Sequence, residues 1–126
     1  MSKSLRLIIQ GNMKKKQIIQ KETEFTNIIH NCPYRKNSYF VIYYRKNQEQ
    51  NRFGISVPKK TGKAHIRNKI KRRIKNIIDQ NQNSVHSSYD YVIIIRKRLL
   101  ELDYHQMEFQ LINLMEKIGE KNEKKQ

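Results

Sequence analysis

The sequence predicts an α/β domain built around a βαβ crossover, and three features carry that expectation. Residues 39–45 (YFVIYYR) are dense in aromatic and β-branched side chains, and residues 52–57 (RFGISV) alternate with period two. Residues 63–79 place Ile66, Ile70, Ile74, Ile77 and Ile78 on one helical arc of about 120°. Residues 91–96 (YVIIIR) are apolar on both faces over five positions, the pattern of a strand covered on both sides. Strand, helix and buried strand in that order make a crossover unit. A chain of 126 residues with 37% hydrophobic content is long and apolar enough for one core, and no repeat or second domain is visible.

Residues 1–20 mix basic and aliphatic side chains without a sustained stripe and read as mostly irregular and solvent-exposed. A helix is expected over 22–31, where Phe25, Ile28, Ile29 and Cys32 recur at i, i+3, i+4 and i+7 until Pro33 stops the pattern. The segments 39–45 and 52–57, divided by the polar break 46–51, are expected to pair as a hairpin. Phe53, Ile55 and Val57 should face the core, while Gly54 and Ser56 leave room for a close approach on the other side. After the crossover helix, residues 80–88 read as a loop. Asp103 is a candidate N-cap, with Gln106 three residues on as its capping-box partner. Met107, Leu111, Leu114, Met115 and Ile118 form the packing stripe of this last helix, Gly119 ends it, and 120–126 is a frayed basic tail.

Charge is the strongest functional signal. Lys and Arg number 27 against 11 Asp and Glu, so 27 − 11 gives +16. Nine of these cations fall between residues 59 and 75, together with His65 and without a single acid. Lys59, Lys60, Lys63 and Arg67 crowd the N-terminal end of the helix, where the macrodipole is already positive and each cation costs ~0.3–1 kcal/mol. The run also lacks the i, i+4 Glu–Lys pairs of a helix that merely faces water, and Arg67 falls within the apolar arc. Converging cations at helix amides point to a polyanion. Phe25, Tyr39, Tyr43 and Tyr44 could stack on unpaired bases, although strand aromatics more often pack in a core.

Catalytic constellations are missing. Cys32 is alone, which excludes a disulfide framework and a Cys-based zinc site. His30, His65, His86 and His105 show no ligand spacing. Carboxylates pair only at Glu22/Glu24 and Glu101/Asp103, too few to converge on two metal ions. Lys60-Thr61-Gly62-Lys63 lacks the first glycine and the Gly-Lys-Ser/Thr ending of a phosphate loop. The apolar runs fall far short of the ~20 residues a membrane span needs, and no secretory signal is recognisable, so the cytoplasm is the expected compartment. The residues read as a binder without catalytic groups.

The stretch FGISVPKKTGKAHIRNKIKRRIKNII at 53–78 resembles the signature of the protein subunit of bacterial ribonuclease P, the RNA-based endonuclease that removes the 5′ leader from precursor tRNA. Gly62, Ala64, Arg67 and Asn68, set among basic residues, are the specific part of the match. Glu24-Phe25 in an opening helix, the strand YFVIYY, the strand DYVIIIRK and the closing amphipathic helix follow in the family's order, so that the resemblance covers about residues 13–118. It implies a two-layer α+β sandwich in the order αβββαβα, with a mixed central sheet and a basic crossover helix, the βαβ crossover being left-handed. It also implies a domain over 13–119, with residues 1–12 an unpacked extension.

By the same resemblance, Lys59, Lys60, Lys63, Arg67, Asn68, Lys69, Lys71, Arg72 and Lys75 would meet the catalytic RNA subunit. Phe25, Val41, Tyr43 and Ser56 would line a cleft for the single-stranded leader. Catalysis would belong to the RNA and its Mg²⁺ ions, with precursor tRNA as the further partner and no membrane or obligate protein partner. Five positions depart from the family pattern. Lys69 replaces a usual Arg, turning a planar phosphate contact into a point charge. Lys75-Asn76 replaces Arg-Glu, Pro58 replaces a Ser, and Ile29 stands where a second cleft aromatic is frequent. A stand-alone structural RNA binder of ribosomal-protein type is the alternative, from which the motif separates this chain.

Overall fold

Helix α1 (Glu22–Asn31) has the expected bounds, with Glu22 and Glu24 in its positive first turn, and it ends where Cys32 turns extended ahead of Pro33. The computed structural model describes residues 17–19, 21–86 and 88–118. After α1 come β1 (Tyr34–Lys36), β2 (Phe40–Lys46), β3 (Arg52–Ser56), α2 (Ala64–Gln80), β4 (Tyr89–Ile95) and α3 (Tyr104–Glu116). This is the αβββαβα order. The capping box of α3 is present, with the Asp103 side chain accepting from the Gln106 N–H and the Gln106 side chain accepting from the Asp103 N–H. The expected extension at 1–12, the stop at Gly119 and the tail at 120–126 lie outside the described residues.

The expected hairpin does not form. The sheet order is β1-β2-β4-β3, so that β4 lies between the two strands that follow each other in sequence. It pairs antiparallel with β2 and parallel with β3. The reason is burial: Tyr89 through Val92 and Ile93 are all buried, and a strand covered on both faces takes the centre of a sheet. Residues 47–51 therefore bridge across the end of β4, tied down by Asn47 N–H to the Ser88 carbonyl (2.9 Å) and Tyr89 N–H to Asn51 Oδ1 (2.9 Å).

One face of the sheet holds the main core. Phe40, Ile42, Phe53, Tyr91, Ile93 and Ile95 pack against Ile70, Ile74, Ile77 and Ile78 of α2 and Met107, Leu111 and Met115 of α3. Each such side chain, fully buried, contributes ~1.5–3 kcal/mol. Tyr44 is also buried here, and Tyr39 packs against the same core with the Arg98 guanidinium 5.6 Å from its ring centre. These two aromatics are packing residues and not stacking candidates.

The opposite face carries a smaller cluster in which Ile28 of α1 meets Val92 and Ile19, with Phe25, Ile29, Tyr43 and Ile94 at its margin. Ile19, expected in solvent, is instead buried here because its N–H donates to the Phe53 carbonyl at 2.9 Å along the edge of β3. Strand register sorts this face into three rows across the sheet. Lys36, Val41, Ile94 and Ser56 form one; Tyr34, Tyr43, Val92 and Gly54 the next; Arg45, Asp90 and Arg52 the third. The third row is a charge cluster centred on the buried Asp90. Arg52 donates to both Asp90 oxygens at 2.9 Å and to both Glu24 oxygens at 3.3 Å, which fastens α1 to the sheet. Arg45 Nε (2.9 Å) and Asn47 Nδ2 (2.7 Å) complete the shell of Asp90. Burial alone would raise the Asp90 carboxyl, but hydrogen bonds from Arg52, Asn47 and Arg45 outweigh it and hold the group below its ordinary range. Hydrogen bonds to Asp90 and then to Glu24 raise the already high pKa of Arg52 further.

Candidate nucleic-acid interface

Helix α2 forms because its four buried isoleucines repeat on one face, and that leaves every cation on the others. Lys59, Lys60, Lys63, Asn68, Lys69, Lys71 and Arg72 are exposed, while Arg67, Arg73 and Lys75 are half-buried. Among the described residues no carboxylate forms an ion pair with any of the nine cations; the ion pairs present involve Arg45, Arg52 and Arg98. Lys59 and Lys60 sit in a short 3-10 turn, Lys59–Thr61, that leads into the helix. Arg67 folds back on this turn, its Nε donating to the Gly62 carbonyl at 3.1 Å. The helix begins at Lys63 without a side-chain cap, in contrast to the fully capped α3. The helix start therefore joins amides that have no side-chain cap to cations that, among the described residues, have no carboxylate partner.

The cleft candidates also come together, on the other face of the sheet. Val41 and Ser56 stand in one cross-strand row with Ile94 between them, and Tyr43 lies in the adjacent row. Val41, Tyr43, Ile94 and Ser56 are all half-buried, as are Phe25 and Ile29 on α1 above them. The room expected beside Gly54 is taken by the chain itself. A Cβ placed on Gly54 would meet Phe25 Cε2 at 2.5 Å, so the ring rests directly on the glycine backbone. Phe25 is thus fixed in place, and the residue remains half-buried. Tyr43 is braced by Tyr34, with ring centres 5.2 Å apart.

The basic helix and the cleft lie on opposite faces, yet they meet at the β3 edge. Lys71 and Lys75 of α2 share a cavity of about 180 Å³ with Phe25 and Ile55. From Ser56 the chain passes through Val57 and Pro58 to Lys59. The residue patterns missed the Asp90 cluster and the position of β1, a strand that only the family order αβββαβα implied. A charge inside a strand apolar on both faces was the available signal for Asp90; β1 is three polar or aromatic residues and offered none.

Fold and site together define a small basic α+β sandwich whose crossover helix is left free to meet a polyanion beside an aromatic cleft. The Ribonuclease P family model matches residues 13–119. This chain belongs to the bacterial ribonuclease P protein family. It is 45% identical over 108 residues to the ribonuclease P protein component of Mycoplasma capricolum, covering 84% of this chain and 99% of that one. The Bacillus cereus protein component is 38% identical over 115 residues, covering 90% and 100%. Among solved structures, the Thermotoga maritima RNase P protein superposes with a TM-score of 0.71 at 29% identity, over 85% of this chain and 96% of that one. The Staphylococcus aureus RNase P protein gives 0.72 at 30% identity, over 78% and 91%. As a family member the chain is a component of a tRNA-processing ribonucleoprotein, with an RNA partner. No described helix is long and apolar enough to cross a membrane.

Proposed function

We propose that this chain is the RNA-binding subunit of a ribonuclease P ribozyme, with α2 seated on the catalytic RNA and the α1–sheet cleft holding the single-stranded leader of precursor tRNA. The observation that carries this reading is the set of nine cations on and before α2 that have no carboxylate partner among the described residues, at an uncapped helix start. The joining of that surface to the cleft at the β3 edge gives one RNA chain a continuous path from the cleavage point into the cleft. In this reading Mg²⁺ is held by the RNA and supplies charge neutralisation at the scissile phosphate. The described residues offer no group of three or more His, Cys, Asp or Glu that could hold an ion. The protein binds, orients the leader and screens phosphates, in the cytoplasm and without an obligate protein partner.

The reading is tested by reconstitution. Leader cleavage at low Mg²⁺ is expected only when the protein is mixed with the catalytic RNA, and cleavage by the protein alone would overturn it. With about four to six phosphates neutralised, log K against log salt should fall with a slope of roughly −3 to −5. Arg67→Ala and Arg72→Ala should each flatten that slope by nearly one unit, and an unchanged slope in both would remove α2 from the interface. Phe25→Ala and Tyr43→Ala should each weaken precursor binding by about 1–2 kcal/mol while sparing mature tRNA, which has no leader to stack. Melting curves must accompany them, because Phe25 also packs against Gly54. Equal losses for precursor and mature tRNA in folded variants would make these aromatics packing residues only.

A further inference from the structure

We propose that a groove at the β1 edge of the sheet is a second single-strand RNA site, which takes the part of the leader farthest from the cleavage point. This rests on the reading of the α1–sheet face as the leader cleft. The groove, of about 1050 Å³, opens between β1, the end of β2 and the last turn of α3. Arg35, Lys36, Arg45, Lys46 and Lys117 line it, and no Asp or Glu among the described residues does. Arg45 is paired with Asp90; among the described residues the other four have no carboxylate partner. Arg35 Nε is enclosed and has no hydrogen-bond acceptor among the described residues. A buried donor left unmade is costly, and a phosphate oxygen would satisfy it.

Position gives the groove its occupant. Tyr34, half exposed at 50%, lines the groove and packs its ring against Tyr43 of the cleft. Lys36 lines it too, and stands in the same cross-strand row as Val41, Ile94 and Ser56. Cleft and groove are therefore one surface folded over the β1 edge. The basic helix follows β3 at the opposite edge, about 14 Å away by three strand spacings. An RNA chain that starts beside α2 and crosses the cleft arrives at β1 last. Its phosphates would meet the four free cations there, while Tyr34 offers a face for a base. A peptide adding itself to the β1 edge is the competing occupant, but three residues of strand give it few backbone bonds.

The test uses holoenzyme reconstituted with the catalytic RNA, and three ligands: mature tRNA and precursors with leaders of about 3 and about 12 nucleotides, a span that brackets common single-strand site sizes. Lys46 and Lys117 are exposed, so the double variant Lys46→Gln, Lys117→Gln should fold, as a melting curve will show. It is expected to weaken the long-leader precursor about five- to tenfold and to lower its salt slope by ~1, leaving the short-leader precursor and mature tRNA unchanged. Unchanged long-leader binding overturns the proposal. So does an equal loss for all three RNAs or a loss of assembly with the catalytic RNA, since either would place another RNA in the groove. Tyr43→Ala separates the two readings. If it weakens both precursors while the double variant does nothing, the cleft stands and the groove fails. A length-dependent loss in the double variant alone leaves the groove and removes the cleft.

Discussion

Asp90→Asn should destabilise the protein by about 3 kcal/mol, at the low end of what breaking a buried ion pair costs. The carboxylate is 1% exposed and accepts from Arg45, Arg52 and Asn47. The amide that replaces it keeps the shape but can accept at only one of its two positions and carries no charge. Arg45 and Arg52 remain 33% and 24% exposed, so water recovers part of their solvation, which is why the low end applies. Against a total of about 5–15 kcal/mol for a domain, this is a large fraction. A urea titration of the RNA-free protein measures it, and a loss below ~1 kcal/mol would show that the cluster does not hold the sheet together. The pH dependence has a definite sign. Because the folded-state pKa is depressed, the contribution is complete above the unfolded-state value of about 3.9 and is lost as pH falls through the lower folded-state value. The Asn variant should lack that part of the acid limb.

Gly54→Ala should have the second largest effect and act on binding as well as folding. The new methyl would occupy the position now held by the edge of the Phe25 ring, so the ring must swing out or α1 must lift from the sheet. Overpacking of this kind costs about 1–3 kcal/mol. The holoenzyme should lose most of its preference for precursor over mature tRNA while assembly with the catalytic RNA persists, because α2 is untouched. In a Phe25→Ala background the same substitution should cost far less, and the resulting non-additivity in a double-mutant cycle identifies the ring as the obstacle. Additive effects of the two changes would show that the methyl is accommodated elsewhere.

Local patterns in the sequence were reliable where one element decides its own outcome. The isoleucine arc of α2, the stop at Pro33 and the Asp103–Gln106 box needed no knowledge of neighbours, and the structure has all three. Both-face apolarity placed β4 under cover, yet the same observation excluded the β2–β3 hairpin, since a central strand needs a partner on each side. The open face beside Gly54 was visible from alternation, but its occupant, Phe25, belongs to another element. The charged row Arg45–Asp90–Arg52 exists only through register, and the groove at β1 only through the approach of α3. No pattern within a single segment could assemble either of them.

The central position of β4 also bears on how the chain is made. Synthesis delivers β2 and β3 first, and neither has a pairing partner in the other; the ladder must wait for contacts as distant in sequence as Phe40 with Ile95. Until then the aromatic strand FVIYYRK has only the three residues of β1 to pair with, and the sheet forms through long-range contacts that are slow to close. An emerging chain therefore exposes its most β-prone segment before it can bury it. The lysines and arginines that follow at 59–75 leave the ribosome in that interval, and their mutual repulsion keeps such unfinished chains apart.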